Sequence, residues 1–278
     1  MNYIKAIIFG VVEGVTEWLP VSSTAHMMIL NCFMSLDVGA DFYSVFEVVI
    51  QLAAVLSLLL VFINKIWPFG ENDNPLGKGV LSIVNKDKFI LCIKIAIACM
   101  PAIIYELFLE DYFTIVNENN EMLVVGLSLL IVGIIFILVE GLIFKKKATK
   151  PTTNDITYID ALIIGLAQLA AGLFPGVSRS GATIIAGLLL GISRFGITDF
   201  TFELSLPVMF GASLMEIIKC SVAVNFTEII LLLLGCISAF VVSLIMIKFI
   251  LNYIKKNSFV VFGIYRIIAG ILVIIFLA

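Results

Sequence analysis

"LFPGVSRSGAT", residues 173–183, places an arginine, two serines and a threonine between two strongly apolar runs. A charged side chain at the centre of a bilayer costs about 2.5–3.5 kcal/mol on insertion scales, so it is kept where it has a partner and a task. The whole chain raises that question. Its 278 residues are 62% hydrophobic and 13% charged, with a mean hydropathy of +1.17, the composition of a polytopic membrane protein. A net charge of −3 excludes general nucleic-acid binding. The five cysteines are scattered through apolar segments without a C-x-x-C pair, as buried small hydrophobes. The apolar core "AIIFGVV" after Lys5 is interrupted by Glu13 and lacks a small-residue cleavage pattern, so the N-terminal segment reads as retained.

Six segments read as crossing helices: 45–63, 88–109, 122–144, 203–219, 228–250 and 259–278. Two others are broken. Residues 3–30 are interrupted by Glu13, Glu17, Pro20 and "SST", and 158–194 by "PGVSRSG". Half-helices meeting at a polar loop are the permitted form of irregular backbone at membrane depth, provided they line an enclosed cavity. Lysines set the orientation. Loops 64–88, 145–157 and 252–258 are basic, whereas 110–121 has no basic residue and the loop near 220–227 has only Lys219 at its edge. Basic loops belong on the cytoplasmic side, which puts both termini outside. "KKKATK" (145–150) also suits anionic lipid heads, a secondary reading.

With this orientation, segment 3–30 enters and leaves from outside and 158–194 from inside. "LPVSSTAH" is echoed by "FPGVSRSGAT", and "DFYSVFEVVIQL" (41–52) by "DFTFELSLPVMF" (199–210). Glu47 follows Pro20 by 27 residues, and Glu203 follows Pro175 by 28. The expected architecture is therefore one all-α membrane domain over 1–278, with six transmembrane helices and two re-entrant helix pairs. It forms an inverted repeat of about 1–110 and 155–278.

Glu13 and Glu17, four apart, share one helix face. A glutamate pair is ordinarily a solvated face, but these are flanked by "IIFGVV" and "WLP". Pro20 ends the first half-helix, and Ser22 or Ser23 can cap the next, with His26 in its first turn. In the other loop Ser178 or Ser180 can cap the helix carrying Thr183. Such a helix start suits an anion, and Arg179 adds a planar fork matched to phosphate oxygens. Two carboxylates, one imidazole, one guanidinium and a hydroxyl-rich helix start make an inventory for phosphoryl chemistry assisted by a divalent cation.

"EGVTEWLPVSSTAH" and "PGVSRSGAT" resemble the two signature motifs of the undecaprenyl-diphosphate phosphatase family, bacterial membrane enzymes linked to bacitracin resistance. The likeness extends through "FEVVIQLA" (46–53), "GISRF" (191–195) and "IYRI" (264–267), nearly the whole chain. It implies hydrolysis of undecaprenyl diphosphate to the monophosphate and phosphate, favoured by Mg²⁺ or Ca²⁺, which recycles the carrier for peptidoglycan synthesis. It sets Glu13, Glu17, Ser23 and His26 beside Ser178, Arg179, Ser180 and Thr183. Glu17 with Glu13 would hold the cation or orient the attacking group. Arg179, Ser22, Ser178, Ser180 and Thr183 would bind the diphosphate. His26 would serve as general base, acid or nucleophile, with Ser23, activated by His26 or Glu17, as the competing nucleophile. Water attack and a covalent intermediate both remain open. Lipid phosphatases that use two histidines are a different case, because His26 is the only one here. The alternative function is a lipid-phosphate transporter or flippase on the same repeat plan. The expected location is the bacterial plasma membrane, with the site facing outside. Expected partners are the lipid substrate and surrounding lipid, not nucleic acid, and a homo-oligomer stays open.

Overall fold

A computed structural model describes residues 1–70, 74–109, 120–143, 148–219 and 224–278. The basic run 145–147, nearly all of the 110–121 loop and Cys220 lie outside the described residues. The described chain is helical, with isolated bridges in place of strands. Its helices are α1 (Asn2–Thr16), α2 (Ser23–Phe33), α3 (Ala40–Ile66), α4 (Lys86–Ile104), α5 (Glu121–Ile143), α6 (Tyr158–Ala167), α7 (Leu169–Leu173), α8 (Arg179–Leu189), α9 (Arg194–Lys219), α10 (Phe226–Ile254) and α11 (Val260–Phe276).

Five of them are long and apolar enough to cross a membrane: α3, α4 with its π-helical extension, α5, α9 and α10. No more than 44% of any of these spans is buried within the protein. The remainder presents residues such as Leu138, Ile237 and Ile245 outward, each about 60% exposed, a surface made for lipid. The sixth expected crossing, 259–278, forms α11 of only 17 residues, at the lower limit for a bilayer. The expected start of the fourth at residue 203 moves back to Arg194. Its first two turns carry polar groups that are spent internally. Arg194 pairs with Glu140, Asp199 with Lys65 at 2.7 Å, and Thr198 bonds back to the Arg194 carbonyl. The segment 158–194 also holds three helices. The chain bends at Gln168, whose Nε2–H donates to the Ala98 carbonyl of α4 at 2.8 Å.

The packing pairs exchange when the two halves of the chain are exchanged. α1 lies on α10 and α6 on α4; α3 contacts α10 and α9 contacts α4; α3 meets α9 and α5 meets α11. Small residues allow the last pair to close. A Cβ built on Gly133 would come within 2.7 Å of the Gly263 carbonyl, and one on Gly270 within 2.6 Å of the Gly126 carbonyl. Backbone-to-backbone approach of this kind is how helices associate where lipid offers no hydrophobic drive. Gly133→Val is therefore expected to force α5 and α11 apart, costing about 1–3 kcal/mol or more. Gly211→Val, which meets nothing within 4 Å, should be near neutral. Thermal unfolding of the two variants in detergent makes the comparison.

Candidate active site

Both broken segments turn on the same local chemistry. Pro20 cannot continue a helix, lacking an N–H and clashing with the preceding turn. The chain then turns at Val21, and Ser22 accepts from the Ala25 N–H at 3.3 Å. In the second loop Pro175 and Gly176 (φ +92°) make the turn, and Ser178 accepts from the Gly181 N–H at 3.2 Å. Ser22 and Ser178 are the two described non-glycine residues with positive φ, at 73° and 71°. Such backbone costs about 1–3 kcal/mol and persists where the surroundings over-determine it, commonly at functional sites.

The two caps bring the next residues together. Ser23 and Arg179 are each the first residue of their helix, and they converge on one carboxylate. Ser23 Oγ–H donates to Glu17 Oε2 at 2.5 Å, and Arg179 Nη2–H donates to Glu17 Oε1 at 2.9 Å. Arg179 also reaches Ser205 Oγ through Nη1 and Met209 Sδ through Nη2. Ser205 lies 11 residues into the 26-residue α9, about 16 Å from its start, so the cluster sits near the middle of that helix. Glu17 and Arg179 are 6% and 16% exposed. In such surroundings each charge depends on the other, since a buried pair that loses one partner strands the remaining charge.

A cavity of about 370 Å³ opens on this cluster, lined by Glu17, Ser22, Ser23, Ser178, Arg179 and Ser180, with Gln51, Tyr105, Glu106 and Gln168. Three expected site residues do not line it. Thr183 is buried between α8 and α9, its hydroxyl bonded to Thr201 Oγ1 at 3.0 Å. Glu13 is buried with its Oε1 unpartnered. His26 has both ring nitrogens engaged, Nδ1 with the Ser22 carbonyl at 2.7 Å and Nε2 with the Tyr265 hydroxyl at 2.6 Å. The two rings also stack, 9° from parallel.

Tyr265, Arg266 and Ser205 were not singled out as site residues from the sequence. Arg266 is fully buried. It donates to the carbonyl of Pro20 at 3.1 Å in one loop, and to those of Gly176 and Val177 at 2.7 and 3.0 Å in the other. One guanidinium thus fastens the two loops to each other, and α5 backs it where Gly176 closes on the Val125 carbonyl. Arg266 carried a signal: a charge inside the apolar run "IYRI", the same anomaly that marks Arg179. Tyr265→Phe removes only the contact to His26, whereas His26→Gln also loses the Ser22 carbonyl. Activity should therefore fall about tenfold in His26→Gln, less in Tyr265→Phe, and no further in the double variant than in His26→Gln. Fully multiplicative losses in that cycle would mean the two residues act separately.

Residues 6–272 match the family of the bacitracin resistance protein BacA. The chain belongs to that family. Members similar to it include the undecaprenyl-diphosphatase of Lachnoclostridium phytofermentans, 42% identical over 98% of this chain and 96% of the relative. Undecaprenyl-diphosphatase 1 of Clostridium acetobutylicum is 44% identical, covering 99% and 97%. An undecaprenyl-diphosphatase of Enterococcus faecalis is 45% identical, covering 98% and 96%. Family membership thus spans both loops and both helices, α9 and α11, that hold them.

Proposed function

We propose that the chain hydrolyses undecaprenyl diphosphate to undecaprenyl phosphate and inorganic phosphate in a bacterial cell membrane. It thereby recycles the lipid carrier of cell-wall synthesis and confers bacitracin resistance. The observation that carries the proposal is the convergence of Ser23 and Arg179 on Glu17 in a chain whose relatives bear the name undecaprenyl-diphosphatase.

The chemistry follows from the partners. Ser23 Oγ attacks the terminal phosphorus while Glu17 Oε2 accepts its proton. The bond to the bridging oxygen breaks, and undecaprenyl phosphate leaves with the proton from Glu17, which is again a carboxylate. Water then attacks the phosphoserine, giving a proton to Glu17, which passes it to Ser23 Oγ as phosphate departs. Arg179, held by Glu17 and Ser205, turns part of its fork to the phosphoryl oxygens, with Ser178 and Ser180 beside it. His26 acts through the backbone: it holds the Ser22 carbonyl, and with it the strained cap on which Ser23 is mounted.

The candidate holder of a divalent cation is Glu13, whose buried Oε1 has no partner but does not line the cavity, whereas both oxygens of Glu17 are occupied. Mg²⁺ is commonly held by one or two carboxylates plus substrate phosphates, so Glu13 would have to turn toward the cavity to share an ion with a bound diphosphate. When bound it would neutralise charge on the leaving phosphate.

The paired positive-φ caps and the exchange-related packing support two repeats, and the lysine pattern supports their opposite orientation with six crossings. The cavity lies toward the end of α4 carrying Tyr105 and Glu106, away from Lys86 and Lys88. That supports an opening on the outer face, with the prenyl chain along the apolar helices.

Purified protein in detergent, where no vectorial transport exists, should release phosphate from undecaprenyl diphosphate, and chelation should slow it. Arg179→Lys, which keeps charge but loses the fork, should lower the rate at least tenfold, or about 1.4 kcal/mol. No phosphate release by the wild type would refute the proposal, and an unchanged rate in Arg179→Lys would make Arg179 a tether.

A further inference from the structure

The second Ser-Arg step of the chain, in "GISRF" (191–195), has no part in the catalytic cavity. It borders another, larger cavity of about 1130 Å³ at the end of the protein that carries the basic loops. The last turns of α5, the α8–α9 turn and the α10–α11 turn enclose it. Three cations, Arg194, Lys255 and Lys256, face one lining carboxylate, Glu140. That carboxylate is spent. It takes Nε–H and Nη2–H of Arg194 at 2.5–3.1 Å and the Phe259 backbone N–H at 2.9 Å.

The cations are not. Arg194 Nη1 has no partner among the described residues, and the side chain is 33% exposed. Lys256 is exposed and likewise without a partner among the described residues. Lys255 lies over the Phe195 ring at 5.4 Å and reaches only Asn252 Oδ1, at 3.5 Å. Leu142 and Leu189 also line the cavity and are 66% and 59% exposed. Cationic groups at the start of α9 and just past the end of α10 thus share the cavity with apolar side chains inside α5 and α8. That combination suits a phospholipid at a membrane boundary, and basic pockets between helix ends on the cytoplasmic side suit anionic headgroups.

We propose that this cavity binds the headgroup phosphate of an anionic membrane phospholipid, with Lys255, Lys256 and Nη1 of Arg194 on the phosphate and Leu142 and Leu189 along the acyl chains. A free phosphate ion would make no use of the leucines. The excess of cations over Glu140 favours an anionic headgroup over a zwitterionic one.

The test compares the wild type with K255Q/K256Q and with K78Q/K86Q, which removes two exposed lysines from another basic loop. Each is purified in micelles containing equal phosphatidylglycerol and phosphatidylcholine, and the retained lipid is counted by native mass spectrometry. The expected result is at least a tenfold preference for phosphatidylglycerol in the wild type and in K78Q/K86Q. K255Q/K256Q should lose that preference while phosphate release from undecaprenyl diphosphate is unchanged, and millimolar inorganic phosphate should not displace the lipid. Equal retention by K255Q/K256Q would overturn the proposal. A matching loss in K78Q/K86Q would reduce it to diffuse charge attraction, and displacement by inorganic phosphate would identify a free anion as the occupant.

Discussion

Glu17→Gln is expected to lower turnover by about 10³-fold, near 4 kcal/mol of transition-state stabilisation. A positioned general base contributes about 10²–10⁴-fold, and Glu17 has the position, 2.5 Å from Ser23 Oγ. The amide fills nearly the same space and its oxygen can still accept from Arg179, so the loop retains a partner. It cannot take the Ser23 proton. The substitution also leaves the Arg179 charge uncompensated in a buried site, which should tighten binding of the dianionic head group and lower KM while kcat falls. Initial rates over a range of undecaprenyl diphosphate concentrations separate the two constants. A kcat within tenfold of wild type would remove Glu17 from proton transfer.

Ser23→Ala should cost at least about 10³-fold, because it removes the attacking atom and leaves only binding and charge stabilisation. The fold should survive. The Ser22 cap, not Ser23, holds the start of α2, and alanine is well tolerated at a helix start. KM should change little, since Arg179, Ser178 and Ser180 remain in the cavity. Ser23→Thr, which keeps the hydroxyl but adds a methyl group at 8% exposure, should fall between the two. In the proposed mechanism the attacking and binding groups come from equivalent positions of the two loops. Each is the first residue after a strained serine cap, and one carboxylate reads both.

Much of this site is legible in the sequence because membrane burial makes polar residues conspicuous. Arg179, Glu17 and Ser23 stand out against apolar flanks, and the structure brings those three together within single hydrogen bonds. The break points are equally plain, since Pro20 and Pro175 each stop a helix and a serine cap restarts it. What the sequence obscures is direction. Glu13 and His26 lie in the same short motif as Glu17, yet rotation about the helix and the cap sends Glu13 into the protein and His26 toward Tyr265 of α11. Thr183 is one turn too far along α8 and faces Thr201. The start of α9 precedes the apolar run that begins near residue 203, because Arg194 and Asp199 are made compatible with the helix only by their partners, Glu140 and Lys65. Arg266 shows the same signal as Arg179 without a visible partner, because its partners are backbone carbonyls, which carry no sequence signature.

The roles of Ser23 and Glu17 can be tested on one sample. Undecaprenyl diphosphate carrying radioactive phosphorus in its terminal phosphate is mixed with an excess of purified protein, and the reaction is quenched in acid within the first turnover. Acid preserves a phosphoserine ester, so the label can be mapped by peptide digestion. The expected result is label on the peptide containing Ser23 in the wild type, more slowly acquired in Glu17→Gln and absent in Ser23→Ala. Full phosphate release by the wild type with no label on that peptide, together with a near-wild-type rate in Ser23→Ala, would contradict attack by Ser23.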